Sequence, residues 1–239
     1  MSSPPEPPGT ARARAVFLDR DGTLNVDTRY LKDPDRLEIH LGVSEGLRLL
    51  RSAGLLLLVV TNQSGIARGL YTVADVEALH QRLRERLALL GASLDAFYFC
   101  PHAPEEHCPC RKPGVELFRR AEREWGLDLS RSAILGDRYL DVQAGKRLGM
   151  LTAYVPEPGS WDDYAEERPL ALAEADLPAE NFLEAARRIV QRMGSAPVGQ
   201  HTGGGGSRGP TEEAHPSGVG GEGDGSGGTN ARGSSERRR

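Results

Sequence analysis

Short apolar runs alternate with amphipathic segments along most of this chain, and this alternation restricts its fold more than any other feature. Residues 15–18 (AVFL) and 55–60 (LLLLVV) are uninterrupted apolar runs. Such runs are typical of strands that are buried on both faces, as in a parallel sheet. Weaker strand candidates are Ala96–Phe99, Ala133–Leu135 and Thr152–Val155. The chain is therefore expected to contain a mainly parallel sheet.

The segments between these runs have the spacing of amphipathic helices. In the clearest case one helical face carries five apolar residues, Val76, Leu79, Leu83, Leu87 and Leu90. Thr72 with Asp75 is a plausible N-cap for this helix, and Gly91 a C-terminal stop. Further helices are expected at Ser44–Ala53, Val115–Trp125, Asp141–Leu148 and Glu180–Met193. Alternating strands and helices predict an α/β fold, a Rossmann-like three-layer α/β/α arrangement.

The two ends of the chain differ in composition from the rest. Residues 195–239 hold 14 of the 29 glycines and no Leu, Ile, Phe, Tyr or Trp. Such a segment buries too little apolar surface to offset its ordering entropy. Residues 1–10 are polar and Pro-rich. We therefore expect disordered tails at 1–10 and 195–239 around one domain at 11–194.

Charge and hydropathy exclude several classes of partner. The formal net charge is −4, which does not indicate nucleic-acid or anionic-membrane binding. The longest aliphatic run has six residues, too few to span a bilayer, and no signal peptide is recognisable. No apolar stripe is left over for a subunit contact. We expect a cytoplasmic monomer.

Polar residues follow the predicted strands at four places. These are Asp19–Thr23, Thr61–Gly65, Arg111–Pro113, and Gly136–Asp137 with Asp141. In a parallel sheet they would meet at the carboxyl edge, where ligands bind. Carboxylates such as Asp19 and Asp137 suit Mg²⁺, and Lys112 suits a phosphoryl oxygen. The sequence therefore predicts a site for a divalent cation and a phosphoryl group.

Some of these residues have more than one interpretation. Asp19 and Asp21 start on the same face of an extended segment, so a metal on Asp19 would let Asp21 keep a raised pKa and act as an acid. Asp141 could support the metal site or cap a helix. Thr61 and Ser64 could bind substrate or simply form a turn.

All three cysteines lie within eleven residues. Cys100, His102, Cys108 and Cys110 have the spacing C-x-H-x5-C-x-C, which supplies four ligands for a closed tetrahedral Zn²⁺ site. An odd cysteine count without a signal peptide argues against a disulfide framework. His107 could replace His102 as a ligand. The sequence thus predicts a loop held together by zinc, directly before Arg111 and Lys112.

The ordered motifs resemble those of the haloacid dehalogenase superfamily. FLDRDGTLN, VVTNQSGIARG, CPH…CPCRKP and GDRYLDVQAG together resemble its D-glycero-D-manno-heptose-1,7-bisphosphate 7-phosphatase family and the related histidinol-phosphate phosphatases. The resemblance covers about residues 16–155. It implies hydrolysis of a small-molecule phosphate ester with Mg²⁺ as cofactor, and a structural Zn²⁺ on Cys100, His102, Cys108 and Cys110.

The resemblance also implies a role for each matching residue. Asp19 would be the nucleophile and Asp21 the general acid and base. Mg²⁺ would be held by Asp19, the main-chain carbonyl of Asp21, and Asp137. Thr61 and Lys112 would contact the phosphoryl group. Substrate-contact positions would include Asp27, Tyr30, Asn62, Gln63, Ser64, Arg111 and Arg138.

Three functions remain open at this stage. The segments Gly65–Gly69 and Asn25–Asp27 with Tyr30 favour the heptose bisphosphate. Two features depart from the heptose enzymes. Arg29 stands where they usually have Gly, and the span from His102 to Cys108 is short, as in the histidinol-phosphate phosphatases. A non-catalytic, zinc-containing binding module is the third possibility. No insertion long enough for a large cap domain separates the motifs.

Overall fold

The structure is a computed structural model that describes residues 12–157 and 165–194. Both predicted tails lie outside these residues. The described strands are β1 (Ala15–Leu18), β2 (Leu56–Asn62), β3 (Ala96–Cys100), β4 (Ala133–Gly136), β5 (Leu151–Tyr154) and β6 (Leu177–Pro178). The described α-helices are α1 (Val43–Ser52), α2 (Val73–Leu89), α3 (Glu116–Trp125), α4 (Tyr139–Leu148), α5 (Glu167–Glu174) and α6 (Phe182–Met193).

The described strands form one parallel sheet in the order β3-β2-β1-β4-β5-β6. The order reverses at β1, which pairs with β2 on one side and β4 on the other. All carboxyl ends therefore lie along one edge, and the crevice beside β1 is where an open sheet of this kind binds its ligands. The prediction of a mainly parallel sheet is confirmed.

Alternate residues of the sheet face two separate apolar cores. Val16 and Leu18 pack in a core with residues of α1, α2 and α6. Ala15 and Phe17 pack in a second core with residues of α3 and α4. The Phe17 ring meets the Phe118 ring edge-on, with 5.1 Å between centroids. Two helical layers thus enclose the sheet, which confirms the three-layer prediction.

Two elements were missed by the sequence analysis, and several boundaries differ. Helix α5 and the two-residue strand β6 were not predicted, since neither is long enough to show a period. Helix α4 begins at Tyr139 rather than Asp141, and α6 at Phe182 rather than Glu180. The expected cap of α2 is present as a capping box between Thr72 and Asp75.

Two loops lie above the carboxyl edge. One joins β1 to α1 and contains a 3₁₀ turn, Pro34–Arg36; the other joins β3 to α3 and contains Pro104–Glu106. Arg86 of α2 donates hydrogen bonds to the carbonyls of Leu37 and Asp35, which holds the first loop down. Within the described ranges no insertion forms a second domain, as expected. None of the helices described is long and apolar enough to cross a bilayer.

Candidate active site

Asp19 follows β1 directly, at the point where the sheet order reverses. Its side chain is nearly buried, and Oδ1 accepts a hydrogen bond from the Arg20 backbone N–H at 2.7 Å. Lys112 Nζ lies 2.9 Å from the same oxygen. Burial raises the pKa of Asp19 to about 6, although the charge of Lys112 opposes this shift. A carboxylate at this position is therefore stabilised by cations.

Lys112 is buried among oxygen atoms. Its Nζ donates to the Val60 carbonyl at 2.8 Å and lies 2.7 Å from Asp141 Oδ1. Burial alone would lower the pKa of Lys112, but the charges of Asp141 and Asp19 raise it. The backbone of Lys112 is fixed by Asn62, whose side-chain amide makes one bond to its N–H and one to its carbonyl. The ammonium is thus held in place as a cation.

Asp137 brings a third carboxylate to this centre. Thr23 Oγ1 donates to Asp137 Oδ1 at 2.8 Å. Burial, with the charges of Asp19 and Asp141, raises the pKa of Asp137 well above its usual range. Gly22, at a φ of +81°, leaves room for the Asp137 carboxylate, because a Cβ there would lie 2.3 Å from Asp137 Oδ2.

The acid cluster fits a divalent cation. Carboxylate oxygens of Asp19, Asp137 and Asp141 lie within 4.8 Å of one another. Two buried acids, Asp19 and Asp141, and the half-buried Asp137 face one lysine. Burial, together with the charges of the neighbouring acids, raises the pKa values of Asp19 and Asp137. Oxygen ligands of this kind suit Mg²⁺. Asp19 and Asp137, which the sequence analysis assigned to Mg²⁺, therefore converge.

Asp141 contacts both the start of helix α4 and the Lys112 ammonium. Its Oδ2 accepts a hydrogen bond from the Arg138 backbone N–H at 3.2 Å, which caps α4 from the third helical position. Its Oδ1 forms the ion pair with Lys112. Asp141 therefore supports the site through Lys112.

The protein groups around Asp21 lower its pKa, whereas the expectation of a raised pKa assumed a metal on Asp19. Burial would raise the pKa, but the charge of Arg20 and hydrogen bonds from Arg20, Asn25 and Gln63 outweigh it and lower the pKa. Arg20 Nε and Nη2 lie 3.1 and 2.7 Å from the two oxygens. Asn25 and Gln63 donate at 3.0 and 2.8 Å. Sequence spacing shows no side-chain direction, so it could not reveal that Arg20 turns towards Asp21.

One cavity of about 230 Å³ brings the predicted residues together. It is lined by every candidate for catalysis, Mg²⁺ binding and substrate contact: Asp19, Asp21, Asp27, Tyr30, Thr61, Asn62, Gln63, Ser64, Arg111, Lys112, Asp137 and Arg138, with Asp141. Arg29, already noted because the heptose enzymes usually have Gly there, lines it too. Leu31, Tyr71 and Leu140 also line it and were not assigned to the site. None of these three belongs to a chemical motif. Only Tyr71 has a signal, its position two residues after the segment TNQSGIARG.

The rim of the cavity carries positive charge. Arg29, Arg111 and Arg138 line it with Asp27. Arg111 Nη1 is buried and has no hydrogen-bond partner among the described residues. The Asp27 backbone N–H donates to Glu157 Oε1 at 2.7 Å, and the Arg29 N–H to Asp27 Oδ1 at 2.8 Å. This edge of the cavity can therefore bind an anionic group.

The cysteine loop also converges. Ligand atoms of Cys100, His102, Cys108 and Cys110 all lie within 4.8 Å of one another. The Sγ atoms of Cys108 and Cys110 are 3.2 Å apart, and His102 Nδ1 lies 3.2 Å from Cys110 Sγ. Ligands of a tetrahedral zinc ion with Zn–S bonds of about 2.3 Å are separated by about 3.8 Å, close to this arrangement. His102, and not His107, belongs to the cluster, which fits a Zn²⁺ site.

Sequence comparisons identify the relatives of this chain. A family model described as HAD-hydrolase-like matches residues 109–185. A D-glycero-beta-D-manno-heptose-1,7-bisphosphate 7-phosphatase from Helicobacter pylori is 47% identical over 133 residues, which cover 55% of this chain and 77% of the relative. The enzyme of the same name from Escherichia coli strain K12 is 42% identical over 137 residues, 54% of this chain and 72% of the relative.

Solved structures give the same result. The D,D-heptose 1,7-bisphosphate phosphatase from B. bronchiseptica, complexed with magnesium and phosphate, is 30% identical with a TM-score of 0.64, over 75% of this chain and 99% of that chain. A putative HAD-like phosphatase from Mesorhizobium loti has the same identity and TM-score, over 82% and 93%. The members of the D-glycero-D-manno-heptose-1,7-bisphosphate 7-phosphatase family are phosphatases of the haloacid dehalogenase superfamily. By its motifs, its acid cluster and these identities, this chain belongs to that family.

Proposed function

We propose that this protein is a Mg²⁺-dependent phosphatase that hydrolyses the 7-phosphate of D-glycero-D-manno-heptose 1,7-bisphosphate. The observation that carries the proposal is the cluster of Asp19, Lys112 and Asp137 at the carboxyl edge of β1. The names of the relatives, up to 47% identical, support the substrate. Mg²⁺ bound by Asp19, Asp137 and the main-chain carbonyl of Asp21 would neutralise charge on the acids and on the phosphoryl oxygens.

In the first step Asp19 attacks phosphorus. Lys112 and the Arg20 N–H both engage Oδ1, so Oδ2 is the oxygen left to form the new P–O bond. The bond from phosphorus to the sugar oxygen breaks, and Asp21 delivers a proton to that oxygen. The negative charge of the incoming phosphate raises the pKa of Asp21 from its lowered value, which favours the protonated form. Thr61 and Lys112 stabilise the transferring phosphoryl group.

In the second step water hydrolyses the aspartyl-phosphate. Asp21 takes a proton from the water, whose oxygen attacks phosphorus; the bond to Asp19 breaks, and inorganic phosphate leaves. The hydrogen bonds from Arg20, Asn25 and Gln63 favour the ionised form of Asp21, which this step requires.

The second phosphate of the substrate gives the rim a use. Arg111, Arg138 and Arg29 line the same cavity as Asp19. Their cationic groups would bind the second phosphate of a bisphosphate. Asp27, Tyr30, Asn62, Gln63 and Ser64 would contact the sugar or the phosphoryl group between these two ends.

The test is phosphate release in the presence of Mg²⁺. We expect the heptose 1,7-bisphosphate to give a kcat/KM at least about 100-fold above that of histidinol phosphate, since only the bisphosphate engages the arginines. Asp19→Asn should abolish turnover of both. Asp128→Asn is a matched control, because Asp128 lies before β4 at the opposite edge of the sheet and bonds Ser130.

Two results would contradict the proposal. Equal rates for wild type and Asp19→Asn would exclude Asp19 as nucleophile and favour a binding module. A preference for histidinol phosphate would retain the mechanism and replace the substrate.

We further propose a structural Zn²⁺ on Cys100, His102, Cys108 and Cys110. The compact cluster of thiols and imidazole supports this assignment. None of the three cysteines forms a disulfide, which fits a reducing compartment, so we propose a cytoplasmic enzyme. We propose that it acts as a monomer on a small molecule and binds neither nucleic acid nor membrane.

A further inference from the structure

Tyr71 is a residue of the catalytic cavity wall. In the sequence it lies outside the four motifs that carry the proposed chemistry. It stands between β2 and α2, directly before the helix cap Thr72. The side chain is 7% exposed and lines both the catalytic cavity and a neighbouring open groove. Burial raises the pKa of Tyr71 to about 12, so its phenol keeps its proton at neutral pH.

The phenol is one end of a chain of hydrogen bonds. Tyr71 Oη donates to Gln63 Oε1 at 2.8 Å. Gln63 Nε2 in turn donates to Asp21 Oδ2 at 2.8 Å and to Thr61 Oγ1 at 2.9 Å. Both ends of the Gln63 amide are therefore fixed, and the amide links the proposed acid and base to a proposed phosphoryl contact.

The ring of Tyr71 is held by close contact with the backbone. A Cβ on Gly65 would lie 2.3 Å from Tyr71 Cε1 and Cζ, so only glycine leaves room for the ring. The ring of Tyr30 is tilted against the ring of Tyr71, with 6.4 Å between their centroids. The position of the phenol oxygen is thus set by the local structure and not by Gln63 alone.

Removal of this hydroxyl would affect Gln63 directly. Gln63 is 1% exposed, so its Oε1 would be left buried without the hydrogen bond from Tyr71. An unpaired buried acceptor is unfavourable, and a change in side-chain rotamer would relieve it. The same change would turn Nε2 away from Asp21 and Thr61.

We infer that Tyr71 is a positioning residue, which acts through Gln63 to hold the Asp21 carboxylate in place beside Thr61. The inference rests on the proposed function, since it assumes that Asp21 exchanges protons with the substrate and water. It adds a residue that acts through another side chain, the Gln63 amide.

A double-mutant cycle tests the inference on the full chain with Mg²⁺. We expect Tyr71→Phe to lower kcat about tenfold and to change KM less than about twofold. Gln63→Met should lower kcat at least as much. The double variant should match Gln63→Met within about twofold, because Tyr71 acts only through that amide. Tyr98→Phe is the control, since Tyr98 is a buried tyrosine that bonds Glu124 and Trp125 on α3.

A spectroscopic measurement examines the same link without substrate. The side-chain amide resonances of Gln63, identified by their loss in Gln63→Met, should exchange slowly with solvent in the wild type. The exchange rate should be higher in Tyr71→Phe and should equal the wild-type rate in Tyr98→Phe. The exchange measurement needs no catalytic activity, so it tests the inference even if the wild type hydrolyses none of the phosphate esters. That absence of hydrolysis would refute only the proposed function.

Three results would overturn the inference. One is a Tyr71→Phe variant with the kcat of an active wild type. Another is a double variant whose loss equals the product of the two single losses, which would mean that Tyr71 acts independently of Gln63. The third is unchanged amide exchange in Tyr71→Phe.

Discussion

At the scale of single residues, Lys112 connects the parts of the site. It is one of three lysines in a chain with 27 arginines, and its ammonium is 2% exposed. Three oxygens surround it, from Asp19, Asp141 and the Val60 carbonyl. A compact ammonium fits a pocket of this size, and a planar guanidinium does not.

We therefore expect Lys112→Met to lower kcat at least about 100-fold, because the buried carboxylates and the phosphoryl group lose their cation. The same variant should lower the free energy of unfolding by about 3 kcal/mol in metal-free protein. Lys112→Arg should not restore the rate. Steady-state kinetics and urea unfolding measure the two effects, with Lys32→Met as the control. An active Lys112→Met would show that the metal alone carries the charge compensation.

The same scale shows where sequence reasoning ends. Residue types and spacing predicted most of the residues that line the cavity, because strand ends must meet at one edge of a parallel sheet. Spacing did not show that Arg20 would turn back onto Asp21, nor that Asp141 would pair with Lys112. Tyr71 was missed because its contact with Gln63 depends on how the loop after β2 folds. Contacts of this kind depend on rotamers and loop paths, which a residue pattern does not encode.

At the scale of elements, long or strongly apolar segments were predicted best. The run 55–60 gave β2, and the five-residue face with its Thr72 cap gave α2. Helix α5 has one buried residue, Ala171, and exposed leucines at 170 and 172, so it shows no amphipathic period. Strand β6 has two residues and depends on its pairing with β5. Tertiary contacts define both elements.

The cysteine loop is the element with the clearest test. It places Arg111 and Lys112 directly after Cys110, so its conformation affects the site. We expect His102→Asn to reduce zinc content from one ion per chain to near zero, to lower Tm by at least about 5 °C, and to raise KM. Elemental analysis, calorimetry and kinetics measure these changes.

His107→Asn is the matched control for that variant. His107 lies outside the metal-ligand cluster at a φ of +47°, a conformation that asparagine tolerates. It should keep its zinc and its Tm. Loss of zinc from both variants alike would contradict the assignment of His102.

At the scale of the whole molecule, the acid cluster makes stability depend on pH. Folding raises the pKa values of Asp19 and Asp137, so between pH 4 and the raised values the folded state binds more protons than the unfolded state. Their contribution to stability is therefore present at low pH and lost as pH rises, through about 6 in the case of Asp19. His80 acts in the opposite direction below pH 6.5, because burial lowers its pKa.

A comparison of variants separates these effects, since His80 is common to both. In metal-free protein, we expect the free energy of unfolding to fall between pH 5 and pH 7.5 by about 2 kcal/mol more in wild type than in Asp137→Asn. Mg²⁺ should reduce the difference at pH 7.5. Urea titrations at both pH values provide the measurement, with Asp128→Asn as the control. Identical pH dependence in wild type and Asp137→Asn would mean that the acids do not interact in solution.

The parallel arrangement of every described strand has a consequence for protein engineering. The rim is shaped by two connections, the one before α1 and the one before α3, and these also carry Asp21 and Lys112. Residues proposed for reaction and for selectivity therefore share the same stretches of chain. A graft of either connection from a related hydrolase should change the preferred ester without loss of the reactive centre only if Asp21 and Lys112 are kept in place.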